Sequence, residues 1–302
     1  MSFRPSLSKP LGALMLCRAS NRWSFSRYRV PRQPQTKNDT QSPIEILVTF
    51  RFWCPMISKA KVRFIKFLQV KKYRQAEQCF LVQGAKAVKE TIHSDLEIET
   101  LLGTAVFLNS FKNSKPGKVR EIVEVSEKEL TAVGSVEANN AALAVVRMRP
   151  NQETKLPMDD FSLVLDDIRD PGNLGTIIRT ADWYGVKNIV ASPETTDFYS
   201  PKVINATMGS FLRVNVFYTS LEAFLVKISL PVYGAFLNGA NIHVAKFTKG
   251  GLIVIGNESK GISPAIEKQI THRITIPRFG SAESLNASTA TAVVLDNIRR
   301  QS

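Results

Sequence analysis

The residues best suited to chemistry fall in loops of the C-terminal half. Residues 166–175 read Asp-Asp-Ile-Arg-Asp-Pro-Gly-Asn-Leu-Gly, with Arg179 shortly after, and residues 256–261 read Gly-Asn-Glu-Ser-Lys-Gly. Residues 274–288 run from Ile-Thr-Ile-Pro through Ser284, Leu285 and Asn286 into an Ala-rich amphipathic stretch. A strand that breaks into a loop and restarts as a helix leaves free backbone N–H groups and short polar side chains around one cavity. That is a ligand site in outline. Plainer readings compete, because mid-helix arginines are commonly solvated or paired, Pro-Gly-Asn commonly only turns the chain, and a Glu after a strand often caps a helix. His93, His243, His272, Cys17, Cys54 and Cys79 are scattered without metal-ligand spacing, so neither a metal nor a disulfide framework is expected.

These loops need a scaffold, and the surrounding pattern supplies one. Apolar runs at 161–165, 186–190, 213–217, 232–237 and 252–256 read as strands. Helical patterns at 176–184, 200–208, 221–228 and 264–270 separate them. Such βαβ alternation implies a parallel sheet, whose active sites lie outside the carboxyl ends of the strands. The three loops are such ends. No Gly-x-Gly-x-x-Gly turn and no phosphate loop of the Gly-x-x-x-x-Gly-Lys type opens a helix, which disfavours an ordinary dinucleotide fold.

A smaller α/β unit is expected over residues 56–150. Phe64, Phe67 and Leu68 fall at helical spacing, residues 79–82, 105–108, 122–125 and 141–146 read as strands, and helices are expected after Gly84 and near Ser126. It contains no catalytic constellation, so binding or support is its role. Residues 151–157 read as a polar linker, and 158–302 as the larger domain.

The 302 residues are 44% hydrophobic, enough for real cores, and no unbroken apolar run is long enough to span a membrane. Half of the formal charge of +14 comes from residues 1–55, which hold Arg4, Arg18, Arg22, Arg27, Arg29 and Arg32 among serines. This leader resembles an organelle transit peptide, while Met56 and the amphipathic start behind it suggest an over-early start instead. Disorder is expected over 1–55 either way, with the protein cytoplasmic, or mitochondrial or plastid if the leader is genuine. Downstream, Lys59, Lys61, Arg63, Lys66, Lys71, Lys72 and Arg74 precede any acid, a run that is either a solvated helix face or a neutraliser of nucleic-acid phosphates.

In its three loops the chain resembles the SpoU (TrmH) family of RNA ribose 2'-O-methyltransferases, within the SPOUT class. The resemblance rests on Asp-Pro-Gly-Asn-Leu-Gly-Thr-Ile-Ile-Arg-Thr-Ala-Asp at 170–182, Ile-Val-Ile-Gly-Asn-Glu-Ser-Lys-Gly-Ile at 253–262, and Ile-Pro-Arg-Phe-Gly-Ser-Ala-Glu-Ser-Leu-Asn-Ala-Ser at 276–288, in the family's order. It implies a parallel-sheet α/β methyltransferase domain with a trefoil knot, preceded by a small α/β substrate-binding domain. Asn173 and Arg179 match the first motif, Glu258 the second, and Ser284 and Asn286 the third. S-adenosyl-L-methionine is then expected against backbone of Gly256, Ile276 and Leu285, with RNA as substrate and a homodimer as the assembly. Arg179 would orient the ribose hydroxyl, Asn173, Ser284 and Asn286 would fix the ribose and Arg179, and Glu258 would hold the arginine or its loop. Ribosomal RNA is preferred to transfer RNA because a small N-terminal domain accompanies that group more often. A noncatalytic RNA-binding assembly factor is the alternative from another class. Arg278, Ala287 and Thr289 depart from common family residues but leave the polar positions intact.

Overall fold

The computed structural model describes residues 57–110, 118–134, 141–153 and 155–301, together with one strand pair nearer the N-terminus. That pair joins β1 (Cys17–Ala19) to β2 (Arg22–Ser24) in antiparallel register. The expectation of disorder in the rest of residues 1–55 lies outside the described residues. No helix among the described residues is long and apolar enough to cross a membrane.

The first of the larger sheets is built from residues 79–147. Helices α1 (Lys59–Phe67) and α2 (Lys71–Glu77) lead into β3 (Cys79–Gln83) and α3 (Ala85–Ile92). Next come β4 (Ile98–Gly103), α4 (Ala105–Asn109), β5 (Ile122–Glu124), α5 (Glu127–Val133) and β6 (Ala142–Arg147). The order is β3-β6-β4-β5, with β6 antiparallel to both neighbours and β4 parallel to β5. Side chains alternate across the pleat. Cys79, Leu81, Leu143 and Val145 form one core with Ile65 and Leu68 of the α1 segment and Leu130 of α5, while Phe80, Val82, Ala144 and Val146 join the main core on the other face.

One segment differs from its sequence reading. Residues 105–108, expected as a strand, are helical: the Thr104 side chain caps the turn by accepting from the Phe107 N–H, Phe107 is buried, and Val106 is 83% exposed. The strand instead lies just before, at β4, where the acids Glu97 and Glu99 masked the apolar positions between and beyond them.

The second sheet has six strands, all parallel. Its elements are β7 (Phe161–Leu165), α6 (Pro171–Trp183), β8 (Asn188–Ala191), α7 (Pro201–Ala206), β9 (Asn215–Tyr218) and α8 (Leu221–Leu225). They continue as β10 (Val232–Asn241), β11 (Gly251–Ile255), α9 (Pro264–Glu267), β12 (His272–Thr275) and α10 (Ala287–Arg299). The order is β12-β10-β11-β7-β8-β9. Central β7 and β11 are buried along their whole lengths, as strands covered on both faces must be.

Helix α6 starts earlier than its sequence suggests. Asp170 caps it by accepting from the Asn173 N–H at 2.7 Å, and Pro171 occupies the first turn, where its missing donor costs nothing. Gly175, which reads as a breaker, is tolerated because α7 lies against it. A Cβ there would stand 2.4 Å from the Ala206 Cβ and 3.0 Å from the Val203 carbonyl oxygen.

The two sheets meet at a packed seam rather than only through residues 151–157. Phe80 packs against Tyr199 at a tilt of 46°, with ring centroids 4.7 Å apart, and meets Phe211 edge-on at 5.9 Å. Arg213 reaches from Asp182 to Glu90, and Arg149 donates to Asp95, whose carboxyl that bond holds below the usual carboxylate range. Arg74 is buried here, donating to the Leu68 and Gln69 carbonyls at 2.9 and 2.8 Å and to Asp197 at 2.5 Å.

Candidate functional site

The carboxyl ends of β7 and β11 are adjacent, so the loops that follow them are neighbours, and α6 begins just beyond the first. Between them Asp166, buried at the end of β7, accepts from the Ser263 N–H at 2.7 Å. Asn257 donates to the Asp167 carbonyl at 2.7 Å while its own side-chain oxygen accepts from the Ser259 and Lys260 N–H groups. Reciprocal backbone bonds between Asn257 and Gly261 close residues 257–261 into a tight loop. Gly256 is required at its neck, since a Cβ there would lie 2.3 Å from backbone atoms of Gly261 and Ile262.

Across this frame runs a chain of side-chain hydrogen bonds. Asn286 donates through Nδ2 to Asn173 Oδ1 at 2.8 Å, and Asn173 donates through its own Nδ2 to Glu258 Oε1, also at 2.8 Å. The amide orientations are mutually fixed. Asn286 Oδ1 caps α10 by accepting from the Ser288 and Thr289 N–H groups, which forces its Nδ2 outward. That donor occupies Asn173 Oδ1, so the Asn173 NH2 is left to face the Glu258 carboxylate. One residue from each of the three loops thereby meets at one point, with the 277–285 loop running up to it. Among the described residues, no backbone–backbone hydrogen bond engages residues 277–285, and of their backbone groups the Ala282 carbonyl accepts from the Arg278 side chain at 3.3 Å.

The remaining expected site residues stand apart from this chain. Arg179 is exposed on α6, and its side chain makes no hydrogen bond or ion pair among the described residues. Six residues separate it from Asn173, which puts the two about 120° apart around the helix. Glu258 therefore holds Asn173 and not the arginine, and Asn286 likewise bonds Asn173. Ser284 and Leu285 are exposed, and Ile276 is half-buried against the main core. Asp166, Asn257 and Asp170, which shape the loops, were not singled out in the sequence. Asp170 before Pro171 is the one with a readable signal, an N-cap followed by proline. The described residues contain no group of His, Cys, Asp and Glu able to hold a metal ion.

Comparison with known proteins identifies the family. The model of the SpoU rRNA Methylase family matches residues 160–296, and that of an MRM3-like substrate binding domain matches residues 59–144. The 23S rRNA (guanosine(2553)-2'-O)-methyltransferase of Bacillus subtilis is 29% identical over 79% of this chain and 96% of its own length. Among solved structures, a TrmH-family protein of Porphyromonas gingivalis is 35% identical, with a TM-score of 0.74 over 82% of this chain and all of its own. An rRNA methyltransferase of Sinorhizobium meliloti, solved with AdoMet bound, is 28% identical, with a TM-score of 0.72 over 82% of this chain and 97% of its own. Fold and site together define an RNA methyltransferase of the SPOUT class. Within that class, the chain belongs to the SpoU (TrmH) family.

Proposed function

We propose that this protein transfers a methyl group from S-adenosyl-L-methionine to a ribose 2'-hydroxyl of ribosomal RNA. The observation that carries the reading is the Asn286–Asn173–Glu258 chain, which draws the three polar loops of a family methyltransferase domain to one point. The B. subtilis relative is named for 23S rRNA, and the small sheet matches a substrate-binding domain named from a ribosomal RNA enzyme family. Both favour ribosomal over transfer RNA.

The residues present fit such a donor. Among the described residues, 277–285 offer backbone groups outside any backbone–backbone hydrogen bond, and Gly256 keeps the opposing backbone free of a side chain. Gly256, Ile276 and Leu285 would hold the donor, which when bound supplies an electrophilic methyl on a sulfonium. Asn173, Ser284 and Asn286 orient the acceptor ribose, with Glu258 fixing Asn173 against it. Transfer would form the O–CH3 bond at the expense of the S–CH3 bond, and the ribose hydroxyl would release its proton to solvent water. A guanidinium is a poor base at neutral pH, so Arg179 orients the hydroxyl and stabilises the developing alkoxide. Residues 274–288 would form the threaded segment of a trefoil knot.

Among the described residues, the Arg179 side chain has no partner near Asn173, which supports a homodimer that brings it to a second copy's site. Trp183, one turn further along the same face of α6, is 84% exposed, as a residue awaiting a covering surface would be. Light scattering is expected to give a dimer, and a fully active monomer would exclude the shared site. We infer a cytoplasmic enzyme, and a reporter fused to residues 1–55 that entered an organelle would move it there.

The function is tested by mixing purified protein with labelled donor and with ribosomal or transfer RNA. Label in ribosomal RNA, mapped to a 2'-O position, is expected. Label confined to transfer RNA would change the substrate, and tight donor binding without transfer to any RNA would overturn the enzyme reading. Gly256→Ala is expected to weaken donor binding by about tenfold in calorimetry, because its Cβ forces backbone movement costing on the order of 1–3 kcal/mol. Unchanged affinity would remove Gly256 from the site.

A further inference from the structure

The basic run over residues 59–74 is not one uniform solvated face. Arg74 is buried in the seam, and Lys61 pairs with Glu121. Lys59, Lys66, Lys71 and Lys72 remain exposed and without an ion-pair partner among the described residues, and no acid interrupts the sequence before Glu77. Amid these cations lies an aromatic pair. Phe67, the last residue of α1, and Tyr73 of α2 stack with ring centroids 4.7 Å apart and planes 17° from parallel. The Arg63 guanidinium sits over Phe67 at 5.1 Å, so cation and rings form one stack, and Tyr73 has no further ring partner among the described residues. Phe67 is 37% and Tyr73 38% exposed, with Val70 exposed on the turn between them.

Rings of this kind are normally buried for their area. Here they stay at the surface, flat and flanked by lysines with no ion-pair partner among the described residues, and the stack lies within residues 59–144, which match the substrate-binding domain. We infer that Tyr73 and Phe67 form a platform for an unpaired RNA base, with Lys66, Lys71 and Lys72 neutralising the phosphates on either side. Single-strand binders combine these two elements, a π-face that accepts any base and a cationic track for the backbone. An acidic membrane is the other polyanion to weigh. It fits less well, because Ile65 and the following Leu68, the apolar side of α1, are buried in the core, and what stays exposed is a flat ring pair with Val70 rather than the apolar face of a helix. The inference goes beyond the proposed reaction and rests on it only for the strand being RNA.

The test measures binding of the whole chain to labelled oligouridylate, to duplex RNA of equal length and to phosphatidylserine vesicles. Tyr73→Leu is expected to weaken oligouridylate binding by about tenfold, within the range for loss of one base stack, while Tyr73→Trp retains it. Lys71→Gln with Lys72→Gln is expected to lower the slope of log affinity against log salt by about 1.4, since each single-strand phosphate contact contributes about 0.7. Wild-type affinity in Tyr73→Leu, an equal loss for duplex, or a preference of the unaltered protein for vesicles would overturn the platform. Donor binding and methyl transfer are followed in the same preparations. A protein that binds RNA through Tyr73 but transfers no methyl keeps the platform and loses the enzyme reading. Transfer with Tyr73→Leu binding as wild type removes the platform alone.

Discussion

The Arg179→Ala protein is expected to transfer methyl groups about 10²–10³-fold more slowly, the usual loss when one donor to a developing oxyanion is removed. Donor binding should be nearly unchanged. The groups assigned to the donor lie on the loops after β11 and β12, whereas Arg179 is exposed near the middle of α6 and holds none of them in place. Its removal also leaves no buried partner behind, so a thermal midpoint close to wild type is part of the expectation. Full activity in this variant would end the assignment. A stricter version mixes Arg179→Ala with Asn286→Ala protein. If each copy's arginine serves the other copy's Asn173–Glu258–Asn286 chain, reassociated dimers contain one site with both parts intact, and activity partly returns. Two inactive proteins that stay inactive when mixed would put Arg179 in its own chain's site.

Asp197→Ala is expected to cost stability rather than chemistry, by about 3–5 kcal/mol in urea unfolding, the range for breaking a buried ion pair from one side. Arg74 is 3% exposed and Asp197 18%. The Leu68 and Gln69 carbonyls satisfy part of the guanidinium, but carbonyls carry no charge to balance it. Removing the carboxylate therefore strands a cation between the two sheets. It also releases the Tyr199 N–H, which donates to the other Asp197 oxygen. Replacing both members, Arg74→Met with Asp197→Leu, should recover much of the loss, since no uncompensated charge remains. A change below about 1 kcal/mol in the single variant would mean that water reaches Arg74 and that the pair counts as a surface one.

Much of the larger domain was legible because its signals are local. The runs that became β7, β8 and β11 are continuous apolar strands, and polar residues at their carboxyl ends mark where a parallel sheet places ligands. Asn173, Glu258 and Asn286 were found by that route and by family resemblance. What they do to one another was not legible, since their hydrogen bonds span 85 and 113 residues of sequence. Arg179 shows the reverse case: motif membership grouped it with Asn173, while helical geometry turns it away. Gly175 reads locally as a breaker, but the close approach of α7 makes it a requirement of packing. Residues 105–108 look like a strand by composition, and a single Thr104 cap with one buried ring decides for helix. Arg74 sat unmarked within a basic run, because only the folded seam distinguishes it from its solvated neighbours.

The two lips of the site differ in how much order they already possess. Residues 257–261 are cross-braced by Asn257 and by paired backbone bonds, so their torsions are fixed before any ligand arrives. Among the described residues, 277–285 take part in no backbone–backbone bonds of that kind. If the donor sits between these lips as proposed, the conformational entropy lost on binding falls mainly on residues 277–285, at about 1–2 kcal/mol for each residue confined to a single backbone well. On that proposal, affinity for the donor depends on the stiffness of the 277–285 segment as well as on the contacts it makes, and a substitution that pre-orders it tightens binding without touching the ligand.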